Sequence, residues 1–93
     1  MRLSEFEAGI IKQSVYTLDP DADVYLFGSR VDDYKRGGDI DLLIISEKLR
    51  PIDKIRIKAM IFKELEEQKI DITISRDIER PFVKLALAQG VPL

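Results

Sequence analysis

The stretch 39–45, DIDLLII, constrains the chain most, because two carboxylates interrupt an otherwise apolar run. Read with the two-residue period of a β-strand, Asp39, Asp41, Leu43 and Ile45 face one way and Ile40, Leu42 and Ile44 the other. Both aspartates then project from one face, roughly 6–7 Å apart at Cα. Two negative charges side by side at a buried position repel each other and are poorly solvated. A metal-free chain gains nothing from that arrangement, whereas a bound cation offsets both costs. The plainer reading is a solvent-exposed face at the first turn of the strand, where two aspartates are harmless.

The rest of the chain surrounds this strand with regular elements. Ser4 and Glu7 have capping-box spacing ahead of a helix that runs to about Thr17, with Leu3, Phe6, Ile10, Ile11 and Leu18 on one side. Pro20 ends it. Residues 24–27, VYLF, form a short buried strand closed by Gly28, and residues 29–38 form a polar loop. Pro51 suits the first turn of a helix over 52–68. Its core stripe is read as Ile52, Ile55, Ala59, Phe62 and Leu65, with Ile57 and Met60 on another face, either in an interface or simply exposed. Residues 69–75 make a third strand, with Ile70, Ile72 and Ile74 opposite Asp71 and Thr73. A last helix begins near Pro81 and ends at Gly90. The order helix, strand, strand, helix, strand, helix predicts one small α/β (α+β) domain over 1–93. Its short mixed sheet has three or more strands packed against helices.

Composition narrows the chemistry. With no cysteine and no histidine among 93 residues, thiolate and imidazole metal sites, Ser-His triads and the usual general base are all excluded. Catalysis must rest on carboxylates, hydroxyls and cations. A net charge of −2 argues against coating nucleic acid through bulk charge, so no direct nucleic-acid binding is expected. The N-terminus lacks the apolar core of a secretory leader and no run approaches a membrane span, which makes the cytoplasm the default compartment.

Three further pieces join the acidic strand. Gly28 can adopt φ > 0 and admit a ligand close to the backbone. Ser29 adds a hydroxyl and an N–H able to hold phosphate oxygens, and Arg30 can pair with phosphate in a forked geometry. Asp71 opens the third strand and reaches the same metal if that strand lies beside the second. Each piece has an ordinary counterpart: a strand-ending turn for Gly-Ser, a surface aspartate for Asp71. All-oxygen donors suit Mg²⁺, and two ions about 3.5–4 Å apart are the arrangement of two-metal phosphoryl transfer.

Taken together, Gly28-Ser29-Arg30, the short loop, Asp39-Ile40-Asp41 and the later Asp71 resemble the DNA polymerase beta nucleotidyltransferase superfamily. Within it the chain is most similar to the minimal nucleotidyltransferases, and the resemblance covers nearly its whole length. It implies that Asp39 and Asp41 ligate both Mg²⁺ ions and that Asp71 ligates the ion activating the nucleophile. It also implies that Gly28 and Ser29 grip the triphosphate, with Arg30 beside them. Typical members continue after that arginine with small residues and a further Arg-Gly, where this chain reads Val31-Asp32-Asp33. Many minimal nucleotidyltransferases are antitoxins paired with HEPN-type ribonuclease toxins, and some adenylylate a tyrosine of the toxin with ATP. The resemblance therefore implies a Mg²⁺-dependent enzyme that transfers AMP from ATP to a hydroxyl of a partner protein, in a homo- or hetero-oligomer. Two other functions stand beside it: a non-catalytic antitoxin that occludes its partner, and a transferase acting on RNA or a small molecule.

Other features carry less. Lys48, Arg50, Lys54, Arg56 and Lys58 either steer an acidic partner, RNA or the nucleotide's phosphates, or form a solvated helix face. The tail VKLALAQGVPL either completes the core or docks on a partner. Tyr34, Lys35 and Arg36 either contact the nucleotide or belong to a solvated loop, while Tyr16 and Tyr25 serve packing.

Overall fold

The computed structural model describes residues 3–28, 40–66 and 68–93. Helix α1 (Glu5–Leu18) leads into strand β1 (Asp23–Phe27), and strand β2 (Ile40–Ile45) follows. Helix α2 (Asp53–Glu64), strand β3 (Ile70–Ser75), helix α3 (Pro81–Gln89) and a two-residue strand β4 (Val91–Pro92) complete the order. The sheet runs β3-β2-β1-β4. β1 pairs antiparallel with β2 and with β4, and β2 pairs parallel with β3. The parallel pair requires a crossover, and α2 supplies it. This is the small mixed-sheet α+β architecture that the sequence predicts.

The alternation of the strands divides the core in two. Val24, Leu26, Ile40, Leu42, Ile44, Ile70 and Ile72 face α1 and α2, where they pack against Ile11, Val15, Ile57 and Ile61. The opposite face carries Tyr25, Phe27, Leu43 and Ile45, which pack against Val83, Ala86 and Leu87 of α3. Helices on both faces are what a strand apolar on both sides requires.

At α1 the expected capping box is present: the Ser4 Oγ accepts from the Glu7 N–H, and the Glu7 carboxylate accepts from the Ser4 N–H, each at 3.0 Å. Its apolar side is narrower than expected. Ile11 and Val15 are fully buried, while Phe6 is 63% exposed. Phe6 lies five residues from Ile11, about 140° around the helix, and so points away from the sheet.

The expected stripe of α2 is wrong by nearly half a turn. Ile57 and Ile61 are fully buried, whereas Ile52 and Ile55 are 71% and 70% exposed, and Ala59 is exposed as well. The helix carries apolar residues on opposite sides, so periodicity alone cannot choose between them. Docking across β2 and β3 selects the Ile57–Ile61 side, with Leu65 and Phe62 at its margin. The helix also stops earlier than expected. Leu65 leaves it in extended conformation and packs on the core.

Two details escape the sequence reading. Asp19 and Ser46 are both buried, and the Ser46 hydroxyl donates to the Asp19 carboxylate at 2.5 Å. The same hydroxyl oxygen accepts from the Lys48 and Leu49 N–H groups, tying the end of α1 to the turn after β2. After α3 the chain continues straight into β4, and Leu93 N–H donates to the Val24 carbonyl at 2.9 Å. Gly90 makes this possible. A Cβ there would meet the carbonyl oxygens of Ala86 and Leu26 at 2.6 and 3.2 Å.

Candidate functional site

Strand register assembles the site. Asp41 of β2 stands opposite Phe27 of β1 on one side and opposite Asp71 of β3 on the other. Opposed residues of adjacent strands share a face, so the three form a row across the sheet. Neighbouring strands lie roughly 4.7–4.9 Å apart, which brings the Asp41 and Asp71 backbones to about that separation. The row sits at the beginning of the parallel pair β2 and β3 and at the end of β1.

This row occupies the face on which α3 lies, yet α3 does not seal it. The next residue of β2 on that face, Leu43, is fully buried under Val83 and Ala86. Asp41 is only half-buried and Asp71 is exposed. The helix thus covers the apolar part of the face and leaves the carboxylates accessible from solvent. Phe82 of α3 marks the border. Its ring meets that of Phe27 edge-on, with centroids 5.8 Å apart and planes at 78°. Neither phenylalanine has a sequence pattern that separates it from ordinary core, and the sequence reading gives neither a role.

Gly28 closes the third side. Its φ of 80° lies in the left-handed region that L side chains rarely adopt. A Cβ on Gly28 would collide with the Asp41 Oδ2 and lie 3.1 Å from its Cγ. The space a side chain would fill here is occupied by the carboxylate, so glycine is needed both for the backbone turn and for Asp41. Gly28 therefore lies against the acidic strand at atomic contact.

Of the residues that sequence singles out, Gly28, Asp41 and Asp71 are thus brought together. Ser29, Arg30 and Asp39 lie outside the described residues, as do Tyr34, Lys35 and Arg36. Among the described residues no group of three or more acidic, histidine or cysteine side chains is placed to hold a metal ion. The two carboxylates that are placed nevertheless fit a hard divalent cation. They offer oxygen donors alone, on adjacent strands in direct register, next to a glycine whose missing side chain leaves room for the Asp41 carboxylate.

A family model described as "Nucleotidyltransferase domain" matches residues 9–92, a span that includes all three placed residues. No match to the chain was found among curated proteins. Among the described residues no helix is long and apolar enough to cross a membrane.

Proposed function

Because the chain belongs to the nucleotidyltransferase domain family, whose general chemistry is nucleotidyl transfer, we propose that it moves AMP from ATP to a hydroxyl group of a partner protein. The observation that carries this reading is the register pair Asp41 and Asp71, set side by side with Gly28 folded against the Asp41 carboxylate.

In this reading Asp39, Asp41 and Asp71 hold two Mg²⁺ ions, and Gly28, Ser29 and Arg30 receive the triphosphate. The ions supply charge neutralisation on the phosphates and acidify the acceptor hydroxyl. The protein's own part is positioning and proton traffic. The acceptor oxygen forms a bond to the α-phosphorus, the bond from that phosphorus to its bridging oxygen breaks, and pyrophosphate leaves with the electron pair. Asp71 is the exposed acid of the pair and takes the hydroxyl proton, because an acceptor arriving from solvent meets it first. The left-handed turn at Gly28 leaves room for the Asp41 carboxylate against the backbone where the phosphates are received.

A protein acceptor suits the surface. Phe6, Ile52, Ile55, Phe82 and Leu85 are all large, apolar and substantially exposed. Phe82 and Leu85 belong to α3, the helix on the face of the acidic row, where a partner such as a HEPN-type toxin would present its hydroxyl. The same exposure favours a second reading, in which the domain silences that partner by covering it. The two separate cleanly. Incubating the chain with a co-purifying partner, ATP and Mg²⁺ should raise the partner's intact mass by whole AMP units. Asp41→Asn should abolish the increase while the fold persists. An unchanged mass with full neutralisation by both proteins would reject transfer in favour of occlusion.

A further inference from the structure

A cleft of mixed polar and apolar lining lies at the far end of the sheet from the carboxylates. It has a volume of about 250 Å³, and Arg50, Pro51, Ile74, Arg76, Asp77 and Arg80 are among its lining residues. It opens where the parallel strands β2 and β3 end. From Asp71 to Ser75 the strand advances roughly 13 Å at about 3.3 Å per residue, so the cleft is separate from the acidic row. Two helices begin at its edge near the same dipeptide: Arg50-Pro51 lies just ahead of α2, and Arg80-Pro81 supplies the N-cap and first residue of α3.

Three arginines among the lining residues of one small cleft give it a net positive charge. Among the described residues none of the three forms an ion pair; the pairs that occur are Arg56–Asp53 and Lys84–Glu79. Asp77 is the one carboxylate in the lining, and its Oδ1 accepts from the Glu79 N–H at 2.8 Å. Arg76 is held in place, because its Nη2 donates to the Glu47 carbonyl at 3.0 Å. The start of α3 adds to the positive character, since its N-cap, Arg80, makes no side-chain capping bond. The site rests on the three arginines, none of which is ion-paired among the described residues, and the helix end only supplements them.

We propose that this cleft binds a phosphoryl anion, phosphate or pyrophosphate, either free or as the exposed end of a nucleotide. Guanidinium forks match the oxygens of such an anion, and a dianion offsets the net positive charge of the lining. Pockets that enclose a whole drug-sized ligand measure about 300–1,000 Å³, so this cleft takes the anion and leaves a base and sugar outside. The site stands independently of the nucleotidyl-transfer reading and uses none of its residues.

The test is an ¹⁵N NMR titration of the full chain with phosphate, pyrophosphate and AMP at constant ionic strength. Saturable shifts are expected at the amides of Arg76, Arg80 and Phe82, with the same affinity in Asp71→Asn. The double variant Arg50→Gln/Arg80→Gln alters exposed side chains only and should keep its melting temperature, yet weaken binding by about tenfold or more. AMP binding tighter than phosphate identifies a nucleotide end as the ligand, and equal binding identifies the free anion; both uphold the site. Shifts confined to the surroundings of Gly28 and Asp41, or a loss below about tenfold in the double variant, overturn it.

Discussion

Gly28 and Asp41 depend on one another at atomic distance. A methyl group at position 28 would need a backbone with φ of 80° and would also displace the Asp41 carboxylate. The left-handed conformation alone costs an L-residue about 1–2 kcal/mol. Gly28→Ala should therefore lower stability by at least about that much in urea denaturation, and it should abolish nucleotidyl transfer even where folding is restored by lower temperature. Asp71 makes the opposite prediction. Like charges directly opposite on adjacent strands are destabilising, by roughly 0.2–1 kcal/mol, so Asp71→Asn should slightly raise the melting temperature in a chelator. With Mg²⁺ and ATP present the order should reverse, because ligand binding stabilises only a protein that can hold the ligand. A thermal-shift comparison of the two conditions reads both signs. A third residue-scale contact is structural. Removing the Ser46 hydroxyl leaves the buried Asp19 carboxylate without that donor, and Ser46→Ala should cost about 1–3 kcal/mol in the same denaturation assay.

Elements differ in how far local pattern determines them. The capping box of α1 is spelled out by Ser4 and Glu7, and the strands by their strict alternation, so Ile40, Leu42 and Ile44 fall on one face as the spacing requires. Helix α2 is different. Ile52 and Ile55 on one side compete with Ile57 and Ile61 on the other, and only the sheet beneath decides which side is core. Ile57→Ala and Ile61→Ala should each cost about 2–5 kcal/mol. Ile55→Ala should stay within about 0.5 kcal/mol, and equal losses for the three would contradict the observed docking of α2. Strand β4 was illegible for another reason. Two residues carry no periodicity, and Pro92 suits only the edge position that β4 occupies.

At the scale of the molecule, topology turns scattered acids into a site. Asp41 and Asp71 are thirty positions apart in the chain, and the alternation puts each on its own strand's polar side. Whether they meet depends on β2 and β3 being neighbours in this register, which no local pattern encodes. The parallel crossover through α2 supplies that neighbourhood. Sequence does single out the glycine and the two acids that the structure places together. It does not reveal Phe82 at the border or the arginine cleft at the opposite end, because both arise from helix starts meeting strand ends. The acids and the arginines then stand at opposite ends of the parallel pair.

The most direct measurement is a crystal structure of the chain with Mg²⁺ and a non-hydrolysable ATP analogue. The account predicts a metal ion ligated by carboxylate oxygens of both Asp41 and Asp71 at about 2.0–2.1 Å, with the triphosphate running past Gly28. A nucleotide bound elsewhere, or a metal that leaves these two carboxylates unligated, would contradict it.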